Sequence, residues 1–145
     1  MRNLRLVYGI SSLAALSIGF LCYYFFRDSN LIFYNMFNIN ITHNNLYVPG
    51  NFLSYFLKYN LCDGLWLFSG ILLLRFIWFG NPGIGNYYII IFICAALLLE
   101  LLQIMEYVPG TFDILDMLTM AIFALLERCI YFYTKRRSLK WVKIG

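Results

Sequence analysis

Four stretches of this chain run for about 20 residues with little charge, the length a helix needs to cross a bilayer. They cover residues 6–26, 61–79, 87–107 and 114–132. Only 12% of the 145 residues are charged, while 62% are hydrophobic and 20% aromatic. A soluble domain carries about 25% charged residues to build its surface. That surface is missing here, so the sequence predicts an all-α membrane protein. The expectation is four transmembrane helices in a bundle, one membrane domain over 1–145 with its partner the lipid bilayer.

The net charge of +4 gathers at the ends. Arg2 and Arg5 precede the first run, and Lys135, Arg136, Arg137, Lys140 and Lys143 follow the last. Basic residues beside spans mark the cytoplasmic side and meet anionic headgroups. Four spans return the chain to its starting side, so both termini are expected in the cytoplasm, with 133–145 a basic cytoplasmic tail. Beside a span this basic tail argues against nucleic-acid binding. The first run is too long for a signal peptide and ends in YYFFRD, without a small-residue cleavage site, so it reads as a retained helix.

This orientation makes 80–85 (GNPGIG) a cytoplasmic turn and leaves 27–60 and 108–111 outside. Residues 52–59 (FLSYFLKY) suit a short helix lying in the interface, where aromatic residues are enriched. The near-repeat of YVPGNF at 47–52 and YVPGTF at 107–112 reads as shared turn chemistry, because the likeness ends at Phe. Asn40-Ile41-Thr42 matches a glycosylation triplet too common to carry weight, and His43 reads as a loop histidine. Cys22, Cys62, Cys94 and Cys129 form no CxxC pair and read as packing residues. Cys22 and Cys62 are both expected near the outer face, which leaves room for a disulfide that no motif in the sequence supports.

Of the seven acidic residues, five come to the same side of the bilayer once the spans alternate. Asp63 heads the second span, Glu100 and Glu106 end the third, and Asp113 and Asp116 head the fourth. Carboxylates inside membrane spans are costly and usually paired or functional. Glu100 lies about 9 Å deeper than Glu106 at 1.5 Å per residue. It shares a helix face with Gln103. Near a helix C-terminus it gains nothing from the dipole, and burial disfavours a charged carboxyl. Glu100 and Asp116 are therefore the candidate proton-transfer groups. Asp63, Gln103, Asp113, Trp66 and Glu106 are the candidate ligand-binding residues. Asp113 suits an N-cap. Trp66 and Gly70 follow Asp63 at helical spacing, which predicts that this face looks into the bundle. Toward the inner ends, Arg75 can snorkel or pair with Glu127.

Such carboxylates can hold a divalent cation through oxygen, act as an acid and base pair, relay protons in transport, or form a structural network with Gln103, Tyr107 and Thr111. No cofactor is evident. Four spans enclose little volume, so transport would call for a homo-oligomer.

Asp63-Gly64-Leu65-Trp66, then Glu100-Leu101-Leu102-Gln103, then Gly110-Thr111-Phe112-Asp113-Ile114-Leu115-Asp116 resembles the VanZ-like family of small membrane proteins over roughly residues 60–130. There an ExxQ on one span is followed, after a short outward loop, by an aspartate-rich start to the next. The loop here reads YVPGTF and lacks the arginine usual in the family, and the long aromatic segment at 27–60 also departs from its pattern. The resemblance implies a cell-envelope setting, an association with resistance to glycopeptides such as teicoplanin, and a cell-envelope precursor or glycopeptide as the ligand. It implies no defined reaction.

Overall fold

The computed structural model describes residues 2–26, 52–105, 107 and 112–142, which form helices and short turns without a strand. The helices are α1 (Arg2–Phe26), α2 (Phe52–Tyr59), α3 (Leu61–Ile77), α4 (Pro82–Ile104) and α5 (Ile114–Val142). Glu106, His43, the Asn40 triplet, the turn at 108–111 and most of both near-repeat hexapeptides lie outside the described residues.

α1 and α4 are long and apolar enough to cross a membrane. At 25 and 23 residues they extend about 35 Å, against a hydrocarbon core of about 30 Å. α3 is shorter, at 17 residues, with Asp63 in its first turn and Arg75 in its last. α5 runs for 29 residues and carries Asp116, Glu127, Arg128 and the basic segment from Lys135. The expected end near Phe132 is passed because nothing stops the helix: Lys and Arg are good helix formers, and no Gly or Pro intervenes. Thr134 also anchors this stretch, its hydroxyl donating to the Ile130 carbonyl at 2.9 Å. α2 forms over the expected residues.

α4 begins where the sequence marks it. Pro82 needs no N–H at a first helical position, and the Asn81 side chain accepts from the Ile84 amide at 3.4 Å.

α3 is the hub, packing on α1, α4 and α5, whereas α4 and α5 barely touch. Leu67 and Ile71 of α3, Ile89 of α4 and Met120 of α5 form the apolar core. Two glycines let α3 approach its neighbours. A Cβ on Gly64 would stand 2.5 Å from a Phe123 ring carbon of α5, and one on Gly70 would stand 2.5 Å from the Phe92 ring of α4.

The burial pattern is inverted. Among the described residues the buried polar side chains are as many as the buried apolar ones: Ser12, Asn60, Ser69, Arg75, Glu100, Asp116, Thr119 and Glu127. Leu, Ile, Phe and Tyr side chains meanwhile cover the outside of α1, α4 and α5. Soluble monomers rarely expose apolar surface on this scale; a lipid-facing bundle does so by necessity.

The charged and amide side chains among the buried polar groups fall in two layers, about 22 Å apart along α3 from Asn60 to Arg75 at 1.5 Å per residue, with the Ser12 hydroxyl bonded to the Ser69 carbonyl between them. The layer at the Arg75 end is an ion pair, with Arg75 Nε 2.7 Å from Glu127 Oε1 and both side chains buried. Arg75 also donates to Asn86 Oδ1 at 2.6 Å, and its guanidinium lies 4.0 Å from the Tyr131 ring centre. The pairing that the sequence left open between Arg75 and Glu127 is therefore made. The other layer is acidic.

Candidate functional site

Three helix ends build the acidic layer: the start of α3, the start of α5, and the last turns of α4. Asn60, between α2 and α3, is its keystone. Its backbone is nearly helical, at φ −99° and ψ −34°. Its amide N–H donates to the Phe56 carbonyl at 3.0 Å, and its own carbonyl accepts from Gly64 at 3.3 Å. α2 thus runs almost directly into α3. The side chain makes no cap for α3. It turns to α5 instead, donating from Nδ2 to Asp116 Oδ1 at 2.6 Å and, more weakly, to Asp113 Oδ2 at 3.4 Å.

Asp113 and Asp116 have different environments. Asp113 caps α5, its Oδ1 accepting from the Leu115 amide at 2.9 Å, as its position predicts. Its other oxygen accepts from the Tyr55 hydroxyl of α2 at 2.9 Å. The Leu115 amide above all, aided by Tyr55 and Asn60, holds the Asp113 carboxyl below its ordinary value of 3.8. That bond to a carboxylate pushes the Tyr55 phenol above its ordinary 10.0. Asp116 is buried one turn deeper and draws its close hydrogen bond from Asn60. Capping therefore accounts for Asp113 and not for the Asp116 carboxyl.

Glu100 is 8% exposed, and its Oε2 is buried with no hydrogen-bond partner. Asp116, Asp63 and Asp113 all lie within Coulombic range of it. The Oδ1 of Asn60, fully buried, is likewise without a partner. Two hydrogen-bond acceptors in one acidic layer are thus left unmet. Leaving one such group unpaired costs about 1–3 kcal/mol, more when it is charged. An ammonium group or another donor would satisfy either atom, and a proton would satisfy the Glu100 oxygen.

The remaining candidates are placed as follows. Asp63 is half-buried in the first turn of α3, where the helix dipole favours an anion. Gln103 is half-buried one turn beyond Glu100. Trp66 packs toward α1: the Gly19 backbone lies against its indole, Tyr23 sits 6.1 Å away ring to ring, and it remains 46% exposed. Gly70 faces Phe92 of α4. The α3 face expected to carry Asp63, Trp66 and Gly70 together is therefore split between α1 and α4. Among the described residues no three His, Cys, Asp or Glu side chains converge as a metal site would need.

Sequence reasoning missed Asn60 and Tyr55. The available signal for Asn60 was an amide at the depth of Asp63, flanked by apolar residues and heading a span. Tyr55 gave none, being one of twelve tyrosines.

Compared with models of protein families, with curated proteins and with solved structures, the chain matches none.

Proposed function

We propose that this chain is an integral membrane protein of the cell envelope. In this reading it is a four-span bundle with both termini cytoplasmic, and its outward acidic layer binds an envelope ligand through a cationic or donor-rich group. Glu100 exchanges its proton as the ligand enters, Asp116 supplies fixed negative charge, and Asp63, Asp113 and Gln103 border the entry. The single observation that carries this is the buried, unpartnered Oε2 of Glu100, in the same acidic layer as the unpartnered Oδ1 of Asn60. Both unmet atoms are acceptors, so the chemistry that completes them is a donor. The inverted burial pattern and the two long apolar helices support the membrane setting.

The envelope setting and the glycopeptide as ligand rest on the VanZ-like resemblance of residues 60–130. The test is growth in a glycopeptide such as teicoplanin with wild-type, Glu100→Gln and Asp113→Asn proteins, alongside expression level and melting temperature in detergent. The proposal expects Glu100→Gln to fold and lose the phenotype, and Asp113→Asn to keep it with at most a small loss of stability, because asparagine caps a helix about as well as aspartate. Full activity in a well-folded Glu100→Gln protein overturns it.

One observation favours a second reading. The 2.6 Å bond from Asn60 to Asp116 joins α3 to α5, so the layer can serve as a polar pin for helix packing. That reading expects Glu100→Gln to be silent.

A further inference from the structure

The strongest unassigned feature is a pair of thiols. Cys22 lies half-buried in the last turns of α1, and Cys62 lies buried in the first turn of α3. Their side chains are in hydrogen-bond contact. The helix register explains the meeting. α1 and α3 run antiparallel, with Gly9 opposite Phe76 and Gly19 opposite Leu65 and Trp66. Cys22 is three residues beyond Gly19, and Cys62 is three residues before Leu65, so each falls opposite the other. Gly19 sets the spacing as well. A Cβ there would stand 2.7 Å from the Trp66 ring and 3.4 Å from Leu65 Cβ, so the missing side chain lets the two backbones close up one turn from the cysteines. A disulfide needs such proximity, with Cα atoms about 4.4–6.8 Å apart.

We propose that Cys22 and Cys62 form a reversible disulfide that ties the end of α1 to the start of α3. Cys22 is the more accessible thiol and reacts first. Its thiolate attacks a small or protein disulfide, forming a mixed disulfide and releasing one thiol of the oxidant. The Cys62 thiolate then attacks Cys22 Sγ and expels the second thiol. Two protein thiols are oxidised, one external disulfide is reduced to two thiols, and the protons pass from the cysteines to the departing sulfurs. Cys62 stands two residues after Asn60, whose side chain holds Asp116. The bond would therefore fix the segment that carries the keystone of the acidic layer. The covalent step depends only on the helix register. Its redox setting rests on the outward placement of this end proposed above.

The test uses the full chain in detergent. Reduced and oxidised-glutathione-treated samples are denatured, alkylated with a maleimide and mapped by peptide mass. The reduced protein should carry four adducts. The oxidised monomer should carry two, on Cys94 and Cys129, with Cys22 and Cys62 linked. Cys22→Ala should abolish that loss of two adducts. The proposal is overturned by four adducts after oxidation, by a glutathione adduct that persists on Cys22, or by the same two-thiol loss in Cys22→Ala. Trapping thiols in intact cells separates the two claims. A linked pair there supports both. A pair that closes with glutathione but is reduced in cells supports the pairing and overturns the outward placement.

Discussion

Asn60 Nδ2 stands 2.6 Å from Asp116 Oδ1, across the interface between α3 and α5. Asn60 is fully buried and Asp116 nearly so. Hydrogen bonds to charged groups are worth about 1.5–3 kcal/mol, and a buried acceptor left alone is expensive. Asn60→Ala should therefore lower stability by about 2–3 kcal/mol, read as thermal or chemical unfolding in detergent. Asn60→Asp should do more harm than Asn60→Ala, because it places a like charge against Asp116. An Asn60→Ala protein as stable as wild type would show that this bond contributes little.

The opposite polar layer gives a cleaner energetic test. Removing one partner of a buried ion pair costs about 3–5 kcal/mol, whereas replacing both by apolar groups is often nearly neutral. Arg75→Met alone should be strongly destabilising. Arg75→Met with Glu127→Leu should recover most of that loss in a double-mutant cycle. The recovery should be incomplete, because Arg75 also holds Asn86 and stacks on Tyr131.

The contact between α2 and α5 should fail at both ends of the pH scale. The Asp113 carboxyl is held below its ordinary value, so its stabilisation is present above 3.8 and is lost as pH falls through the lower folded value. The Tyr55 phenol is pushed above its ordinary value, so its share is complete below 10.0 and is lost as pH rises through the higher folded value. Ultraviolet titration of tyrosinate should show Tyr55 ionising late in the wild type. Asp113→Asn should bring that tyrosine back to the ordinary range, and Tyr55→Phe should remove it.

Helix approach at Gly64 is the fourth test. A methyl group there meets Phe123 at 2.5 Å and Thr119 at 2.6 Å. Overpacking of this kind costs about 1–3 kcal/mol, which exceeds the gain of about 1 kcal/mol that alanine brings to a helix. Gly64→Ala should lower the melting temperature. Gly80→Ala, where nothing lies within 4 Å of the added carbon, should leave it unchanged.

Much of the helical layout was legible because apolar runs and breakers are local signals. Pro82 and Asn81 mark the start of α4, and FLSYFLKY marks α2 in full. The end of α5 was not, since apolarity ceases at Phe132 while helix propensity continues through the basic residues. At the site, Glu100 and Asp116 stood out as carboxylates inside apolar runs, and Asp113 as a cap. Asn60 did not, because an asparagine ahead of a helix reads as its cap. Its actual partners lie 53 and 56 residues away and meet it only when α3 and α5 pack side by side. Trp66 misled for the reverse reason: spacing along α3 gives a face, but close packing at Gly19 of α1 decides which neighbour that side chain meets.

The central claim is that the buried Glu100 carboxyl exchanges a proton for a cationic group. Dicyclohexylcarbodiimide adds to protonated carboxyls in apolar surroundings and leaves a stable mass tag, so labelling of the full chain in lipid at neutral pH, mapped by peptide mass, reads this directly. The account predicts a tag on Glu100 ahead of every other carboxyl, including Asp113, slowed by ammonium-bearing competitors and absent in Glu100→Gln. An untagged Glu100 in a folded protein, with Asp113 or Asp63 tagged in its place, would contradict it.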